Sequence, residues 1–322
     1  MTEIDTKNLM GNQLTWKGEF DLGKSFISEI VFTNRTHKFS LPLNTTKVQI
    51  SLTALVNTKE IVLISEKKIK YCELGGLLFD LLRYENLFEG IFFHTQQLYF
   101  DSLDLTPTIS KEWFSYYSST ISYTYINFSY DSDTEYKNLF LKWKCIDHDF
   151  HIAHQMFLYS CFSTELPFDI KLALLLQTFE PVSDILYRKG NIILTKPLHI
   201  TKSITCNNCQ EKTIVNIPNK ELHFFDKLQA IVNQYGGEIF GCDNTALLID
   251  KSVNLRNKVV HLDASNPNIL SAEESGAYIY KFSLLYRIII WRELGLSPSK
   301  YNTVIEAWIR SFNKRYPCSI IQ

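Results

Sequence analysis

The sequence predicts an α+β protein, in which a β-rich N-terminal domain, residues 1–146, precedes an α-helical domain, residues 147–322. Two observations predict this division. Alternating and β-branched runs dominate before Asp147, whereas apolar residues recur at helical spacing after it. The length of 322 residues also suits two domains, because one domain ordinarily holds about 100–200 residues.

Within the N-terminal half, alternating side chains predict strands at residues 48–55, 61–64 and 121–130. The last of these is the most regular, because Ile121, Tyr123 and other large residues fall on one face. Leucines at helical spacing predict one helix at residues 74–87. This half therefore supplies the sheet of the predicted fold.

Within the C-terminal half, apolar residues at helical spacing predict five helices and a short sixth that begins near Pro298. Pro181 should kink the second helix, because proline removes a backbone donor and crowds the preceding turn. Ser271 and Glu274 form a capping box at the start of the fifth helix. The five helices span residues 150–162, 168–187, 220–234, 245–262 and 271–294, and a hairpin is predicted within residues 189–217.

The composition limits the classes of function. Apolar residues make up 45% of the chain and charged residues 21%, a balance that excludes a disordered chain. The formal net charge is −1, so a nucleic acid would have to be met by a local basic site. The opening segment lacks an apolar signal, no stretch is typical of a transmembrane helix, and the seven cysteines form no regular framework. We therefore expect a reduced, cytoplasmic protein without a membrane partner.

One short motif carries recognisable chemistry, the Arg-x4-His tract that runs from Arg256 to His261. Histidine titrates near neutral pH and suits proton transfer. Arginine stays charged and binds phosphate oxygens through a two-pronged fork. The alternative is a surface arginine followed by an ordinary histidine at a helix end, because so short a spacing also arises by chance.

The tract and its surroundings resemble the HEPN ribonuclease superfamily and, in detail, the ApeA-type HEPN domain. The polar Asn257 follows the arginine, the tract ends a predicted bundle helix, and a long apolar helix ending at residues 294–296 comes next. An earlier apolar helix carries residues 175–180. The resemblance covers roughly residues 150–296, and the N-terminal half is consistent with the accessory domain that precedes HEPN in such proteins.

The resemblance implies a metal-independent endoribonuclease, in which the RNA 2′-hydroxyl attacks the adjacent phosphate and leaves a 2′,3′-cyclic phosphate and a 5′-hydroxyl. It implies that His261 is the acid–base group, that Arg256 clamps the phosphate and the transition state, and that Asn257 orients phosphate or ribose. It also implies that Glu180 supports this pair, although a carboxylate on a solvated turn is the alternative. Lys258 is a candidate contact for the RNA substrate, or simply an exposed helix residue.

The spacing of the motif predicts a homodimer. Asn257 and His261 lie one turn apart on one helix face, whereas Arg256 and His261 lie about 140° apart around the axis. One helix therefore presents the arginine and the histidine poorly to one phosphate, and two helices related by a two-fold axis would solve this. The resemblance implies such a shared site, and a role in prokaryotic antiviral defence, as in abortive infection or a toxin-like system. A phage trigger or an inhibitory partner would then control the activity.

The rival interpretation is a non-catalytic, HEPN-like module for binding or dimerisation, in which Arg256 and His261 are structural. An enzyme predicts that both side chains are exposed in a basic cleft. A binding module predicts that one or both pack against their own chain.

Metal sites are the remaining possibility in the sequence. Cys206 and Cys209 have the spacing of a zinc ribbon, but a second Cys-x2-Cys pair is missing, so a structural zinc would need Cys242 and His223. Thiols without a metal, in a polar hairpin, are the favoured alternative. No other cofactor is expected.

Three histidines, His148, His151 and His154, share a predicted helix face but lack an HExxH pattern. Incidental histidines of a bundle helix are therefore favoured over a metal site. The sequence also lacks a P-loop, a GxGxxG and a GxSxG motif, which argues against NTPase, Rossmann and α/β-hydrolase functions.

Overall fold

The computed structural model describes residues 6–19, 34–55, 58–90, 94–106, 128, 130–163, 166–205, 211–240, 245–261 and 270–316. Within these residues a six-stranded antiparallel sheet comes first, and seven helices follow it along the chain. The predicted α+β fold class is therefore confirmed. None of the helices in the described ranges has the length and hydropathy that a membrane span requires.

The main sheet has the strand order β2-β3-β4-β1-β5-β6, and every neighbouring pair is antiparallel. Its strands are β1 (Met10–Glu19), β2 (Arg35–Leu43), β3 (Thr46–Ala54), β4 (Thr58–Lys70), β5 (His94–Phe100) and β6 (Leu103–Asp104). Alternation is clearest in β3, where Val48, Ile50 and Leu52 are buried and the residues between them are more exposed.

Two of the predicted strands are confirmed, residues 61–64 inside β4 and residues 48–55 in β3, which ends one residue earlier at Ala54. The third, residues 121–130, lies outside the described residues except for Phe128 and Tyr130. The predicted helix at residues 74–87 is confirmed as α1 (Tyr71–Glu89), which buries its leucines and packs on β1 and β4. It ends at Gly90, whose φ of 70° suits glycine.

The remaining helices are α2 (Asp133–Phe162), α3 (Phe168–Arg188), α4 (Phe224–Tyr235), α5 (Gly237–Phe240), α6 (Thr245–His261), α7 (Ala272–Glu293) and α8 (Pro298–Arg315). The hairpin strands β7 (His199–Thr205) and β8 (Lys212–Pro218) lie between α3 and α4.

Each of the six helices predicted in the C-terminal half is found, but the described residues also contain the short α5, which was not predicted, and two of the six are much longer than predicted. The helix predicted at residues 150–162 begins at Asp133, where the Ser132 side chain caps it by accepting from the Glu135 amide. The helix predicted to be short after Pro298 has 18 residues. The Ser271–Glu274 capping box forms as predicted, since each side chain accepts from the other residue's amide.

Two compact units emerge from the contacts of the chain. One comprises Met1–His148, Leu158–Leu166 and Ile290–Ser311, and the other comprises Asp149–Phe157, Pro167–Ile289 and Phe312–Gln322. The helices α2, α7 and α8 contribute residues to both units. The division into domains 1–146 and 147–322 stays a prediction.

Within the second unit, α3, α4 and α6 pack against one another in pairs. Helix α3 is apolar nearly all round and continues through Pro181 to Arg188, so the proline does not end it. Its buried residues include Leu172, Leu175 and Phe179. These three helices carry the predicted site residues.

Candidate functional site

The packing of α6 against α3 places Arg256 beside two polar side chains. Leu255 is buried in this contact, and Arg256 follows it at the edge of the buried stripe. On α3, Gln177 and Glu180 flank the buried Phe179 and are themselves partly exposed. Residues three apart share a helix face, so both side chains reach the same partner.

Three same-chain acceptors surround the Arg256 guanidinium. Its Nε donates to Gln177 Oε1 at 2.7 Å, and its Nη1 donates to Asn257 Oδ1 at 3.0 Å. Its Nη2 donates to Glu180 Oε2 at 2.5 Å, and Gln177 Nε2 donates to the same carboxylate oxygen at 3.0 Å. We call these four residues, Gln177, Glu180, Arg256 and Asn257, the arginine cluster.

Helix α4 also contacts the arginine cluster, in addition to α3 and α6. Its first residue, Phe224, is buried, and the Arg256 Cζ lies 4.9 Å from the centroid of that ring. A guanidinium at this distance over an aromatic ring gains a cation–π attraction. Three helices therefore fix the position of one side chain.

The exposure of the arginine cluster determines what it can bind. The Arg256 side chain is only 11% exposed, whereas that of Glu180 is 36% exposed. A guanidinium has five N–H groups. Three of them donate to Gln177, Asn257 and Glu180. One N–H on Nη1 and one on Nη2 therefore remain without an acceptor among the described residues. Two N–H groups of one guanidinium can bind two oxygens of one phosphate.

The predicted site residues are therefore only partly brought together. Arg256, Asn257 and Glu180 are in direct contact, and Glu180 lies inside a helix and not on a turn. Lys258 follows on α6 and is half-buried. His261 is the last residue of α6, and its side chain lies outside the description.

Sequence reasoning missed three neighbours, Gln177, Asp184 and Lys227. Asp184 lies one turn after Glu180 on α3, and Lys227 Nζ on α4 lies 2.7 Å from its carboxylate. The signal was present in α3, where Gln177, Glu180 and Asp184 follow one another at helical spacing in an otherwise apolar helix. The charges of Arg256 and Lys227 formally cancel those of the two carboxylates.

The zinc hypothesis is not tested, because Cys206, Cys209 and Cys242 lie outside the described residues. His223 has a structural role at the start of α4, where Asp226 Oδ2 accepts from the His223 amide at 3.0 Å and the His223 carbonyl accepts from the Asp226 amide at 3.1 Å. Among the described residues, no group of three or more His, Cys, Asp or Glu side chains is placed to hold a metal ion.

The three histidines of α2 do not converge. His154 is buried, its Nδ1 lies 2.6 Å from the Tyr286 hydroxyl, and its ring stacks on Phe150. His148 and His151 are exposed. This arrangement supports their interpretation as incidental residues of a bundle helix.

Comparison of the chain with protein-family models, with curated proteins and with solved structures found no match.

Proposed function

We propose that the protein is a metal-independent endoribonuclease of the HEPN type. One observation carries the proposal. Arg256 and Glu180, 76 residues apart in the sequence, meet at the boundary of α6 and α3. An acidic residue on an earlier helix that supports the motif arginine is what the resemblance implies, and this contact supports it.

The reaction assigned to the site needs no group beyond the side chains. His261 takes the proton of the 2′-hydroxyl, and the 2′-oxygen then bonds to phosphorus. The bond from phosphorus to the 5′-oxygen breaks, and a protonated histidine returns a proton to that oxygen. The two remaining N–H groups of Arg256 hold the non-bridging oxygens, where negative charge develops. Asn257 and Lys258 offer further donors on the same helix.

The charge of the arginine cluster favours a site shared by two chains. Glu180 formally neutralises Arg256, so a bound phosphate needs a further positive charge. A second copy of α6 would bring such charge to the same phosphate. We therefore propose a homodimer in which one protomer's Arg256 acts with the partner's histidine, in agreement with the 140° spacing. The enzyme would act in the cytoplasm against phage, and a trigger or an inhibitory partner would control it.

A second candidate function is a non-catalytic module for binding or dimerisation. The observation that favours it is the environment of Arg256, which is almost covered and makes three hydrogen bonds within its own chain. A structural arginine would have this environment. The two candidate functions differ in one expectation. Only for the ribonuclease should the substitution of His261 abolish RNA cleavage.

The experiment compares RNA cleavage by the purified wild type, Arg256→Ala and His261→Ala. Arg310→Ala is the matched control, because Arg310 is 68% exposed on α8 and outside the arginine cluster. Loss of a group that transfers protons lowers the rate by about 10²–10⁴-fold. We expect both site variants to lose cleavage and the control to retain it. Equal cleavage by all four proteins would exclude the assigned site, and folded proteins that never cleave RNA would favour the second candidate.

A further inference from the structure

A groove lies at the C-terminal end of α3, in the unit that carries the arginine cluster. Its volume is about 430 Å³. We call it the α3 groove, and its lining residues are Asp184, Tyr187, Arg188, Pro197, Leu198 and His199. None of these residues takes part in the reaction described above.

The α3 groove begins one helical turn from the arginine cluster. Asp184 lies four residues after Glu180, which corresponds to about 6 Å along the axis of α3. Glu180 in turn contacts Arg256. Along α3, the first lining residue of the groove is therefore offset from the residue that holds Arg256 by about the length of one nucleotide.

The walls of the α3 groove combine a flat ring with apolar surface. Tyr187 and Leu198 are half-buried, and Pro197 and His199 are exposed. A nucleobase has two flat, largely apolar faces, and stacking on aromatic side chains is the common way in which proteins hold unpaired bases. This lining suits a base and not an extended aliphatic chain.

Two charged groups give the α3 groove a polar side. The Asp184 carboxylate is held by Lys227 at 2.7 Å and by the Ser183 hydroxyl at 3.3 Å, yet its side chain stays 38% exposed. A carboxylate accepts hydrogen bonds from the exocyclic amine of a base. Arg188 is exposed, and its Nε donates to the Asp184 carbonyl at 3.2 Å. Among the described residues, the Nη groups of Arg188 make no hydrogen bond, so they can pair with a phosphate.

We propose that the α3 groove binds a nucleotide of single-stranded RNA next to the scissile phosphate. The base packs against Tyr187 and Leu198, its amine donates to Asp184, and the adjoining phosphate pairs with Arg188. The assignment rests on the proposed ribonuclease function and adds its substrate class, an unpaired strand with an amine-bearing base at this position. Adenine, guanine and cytosine carry such an amine, whereas uracil does not.

The experiment measures binding by fluorescence polarisation, with the full-length chain and 2′-O-methyl oligoribonucleotides. These probes cannot be cleaved by 2′-hydroxyl attack, so binding is read separately from catalysis. The proteins are wild type, Tyr187→Ala, Arg188→Ala and Asp184→Asn, with Arg310→Ala as the control. Circular dichroism and thermal melting verify that each variant is folded.

We expect wild type to bind oligo(A) more tightly than oligo(U). Loss of one stacking contact weakens binding by about 5- to 160-fold, so Tyr187→Ala should lose affinity by a factor in this range. Arg188→Ala should lose affinity for both probes, and Asp184→Asn should lose the preference for oligo(A).

Several results would overturn the groove assignment. These are wild-type affinity in both Tyr187→Ala and Arg188→Ala, no binding of either probe by wild type, or binding of AMP as tight as that of oligo(A). Cleavage of natural RNA by wild type and by both variants at equal rates would refute the groove while the proposed function stands. Groove-dependent binding without any cleavage of natural RNA would refute the proposed function while the groove stands as a binding site.

Discussion

The Nη2 of Arg256 on α6 lies 2.5 Å from Oε2 of Glu180 on α3, and this ion pair joins two helices that are distant in sequence. Gln177 completes the contact by bonding to both partners. The pair is partly exposed on the side of Glu180, so solvent screens it and its stability contribution is modest. In the proposed enzyme, the pair would hold the guanidinium in one direction.

A double-mutant cycle measures this coupling. Glu180→Ala leaves a nearly buried guanidinium without its charged partner, and we expect the free energy of unfolding to fall by about 1 kcal/mol. Because Arg256 and Glu180 are in direct contact, Arg256→Ala combined with Glu180→Ala should cost less than the sum of the two single variants, by about 0.5 kcal/mol or more. Urea unfolding followed by circular dichroism gives the four values. Additive losses would show that the ion pair does not couple α3 to α6.

Mixing two inactive variants tests the shared site. If Arg256 of one protomer acts with the partner's histidine, a heterodimer of Arg256→Ala and His261→Ala chains contains one intact site. Random pairing makes half of the dimers heterodimers, so we expect about a quarter of wild-type cleavage after the subunits exchange. Light scattering should show a dimer at the assay concentration. A strict monomer that still cleaves RNA contradicts the shared site.

A buried carboxylate in the first unit makes stability depend on pH. Glu85 accepts hydrogen bonds from Lys59 at 2.5 Å, from Tyr136 at 2.7 Å and from Arg35 at 3.2 Å. Burial by itself would raise the pKa of Glu85, but the charges of Lys59 and Arg35 and the hydrogen bonds outweigh it and lower this pKa to about 2. The carboxylate is therefore favoured in the folded protein.

The direction in which pH changes the stability follows from the pKa of Glu85 in the unfolded chain, which is 4.5. The folded pKa is the lower one, so the stabilisation by Glu85 is complete above pH 4.5 and is lost as the pH falls toward 2. Glu85→Gln should lower the free energy of unfolding by about 3–5 kcal/mol at pH 6, because Lys59 then loses its buried counter-charge. The difference in the free energy of unfolding between wild type and Glu85→Gln should decrease as the pH falls from 4.5 to 2, as measured by urea unfolding. A gap that stays constant with pH contradicts the assignment, and Glu60→Gln, at an exposed ion pair, is the control.

The sequence predicts the elements of this protein better than it predicts their lengths. The bounds of α3 are predicted to within one residue, because its run of apolar residues extends from Phe168 to Tyr187 and the helix is Phe168–Arg188. The sequence analysis misses the first half of α2, because its solvent-facing side is rich in charge and the buried stripe is short, with Tyr136, Leu139, Phe140 and Trp143. The change of character at Asp147 therefore reflects composition, and it falls inside a helix.

The candidate site shows a similar limit. The resemblance implied that Glu180 supports Arg256, and the two residues do meet. The contacts of Gln177 and Phe224 could not be predicted, because they depend on how α3, α4 and α6 pack, and periodicity does not specify which helices become neighbours. The spacing of the motif predicts an angle around α6 but not the burial of Arg256.

The central test is carried out in EDTA, so the effect of the chelator on the fold must be controlled. A zinc ion at Cys206 and Cys209 would be removed by EDTA, and the fold would then be weakened. Circular dichroism with and without EDTA separates loss of structure from loss of catalysis. Single-stranded DNA serves as the substrate control, because it lacks the 2′-hydroxyl and should stay intact.

The measurement that tests the central claim most directly is the chemistry of the RNA ends produced in EDTA. We predict that wild type leaves 2′,3′-cyclic phosphate and 5′-hydroxyl ends, because the 2′-oxygen is the nucleophile and His261 moves the protons. The His261→Ala variant should leave the RNA intact. The contradictory result is a folded wild-type protein that is inactive in EDTA and that regains cleavage with magnesium to give 3′-hydroxyl ends, since these require water activated by a metal ion.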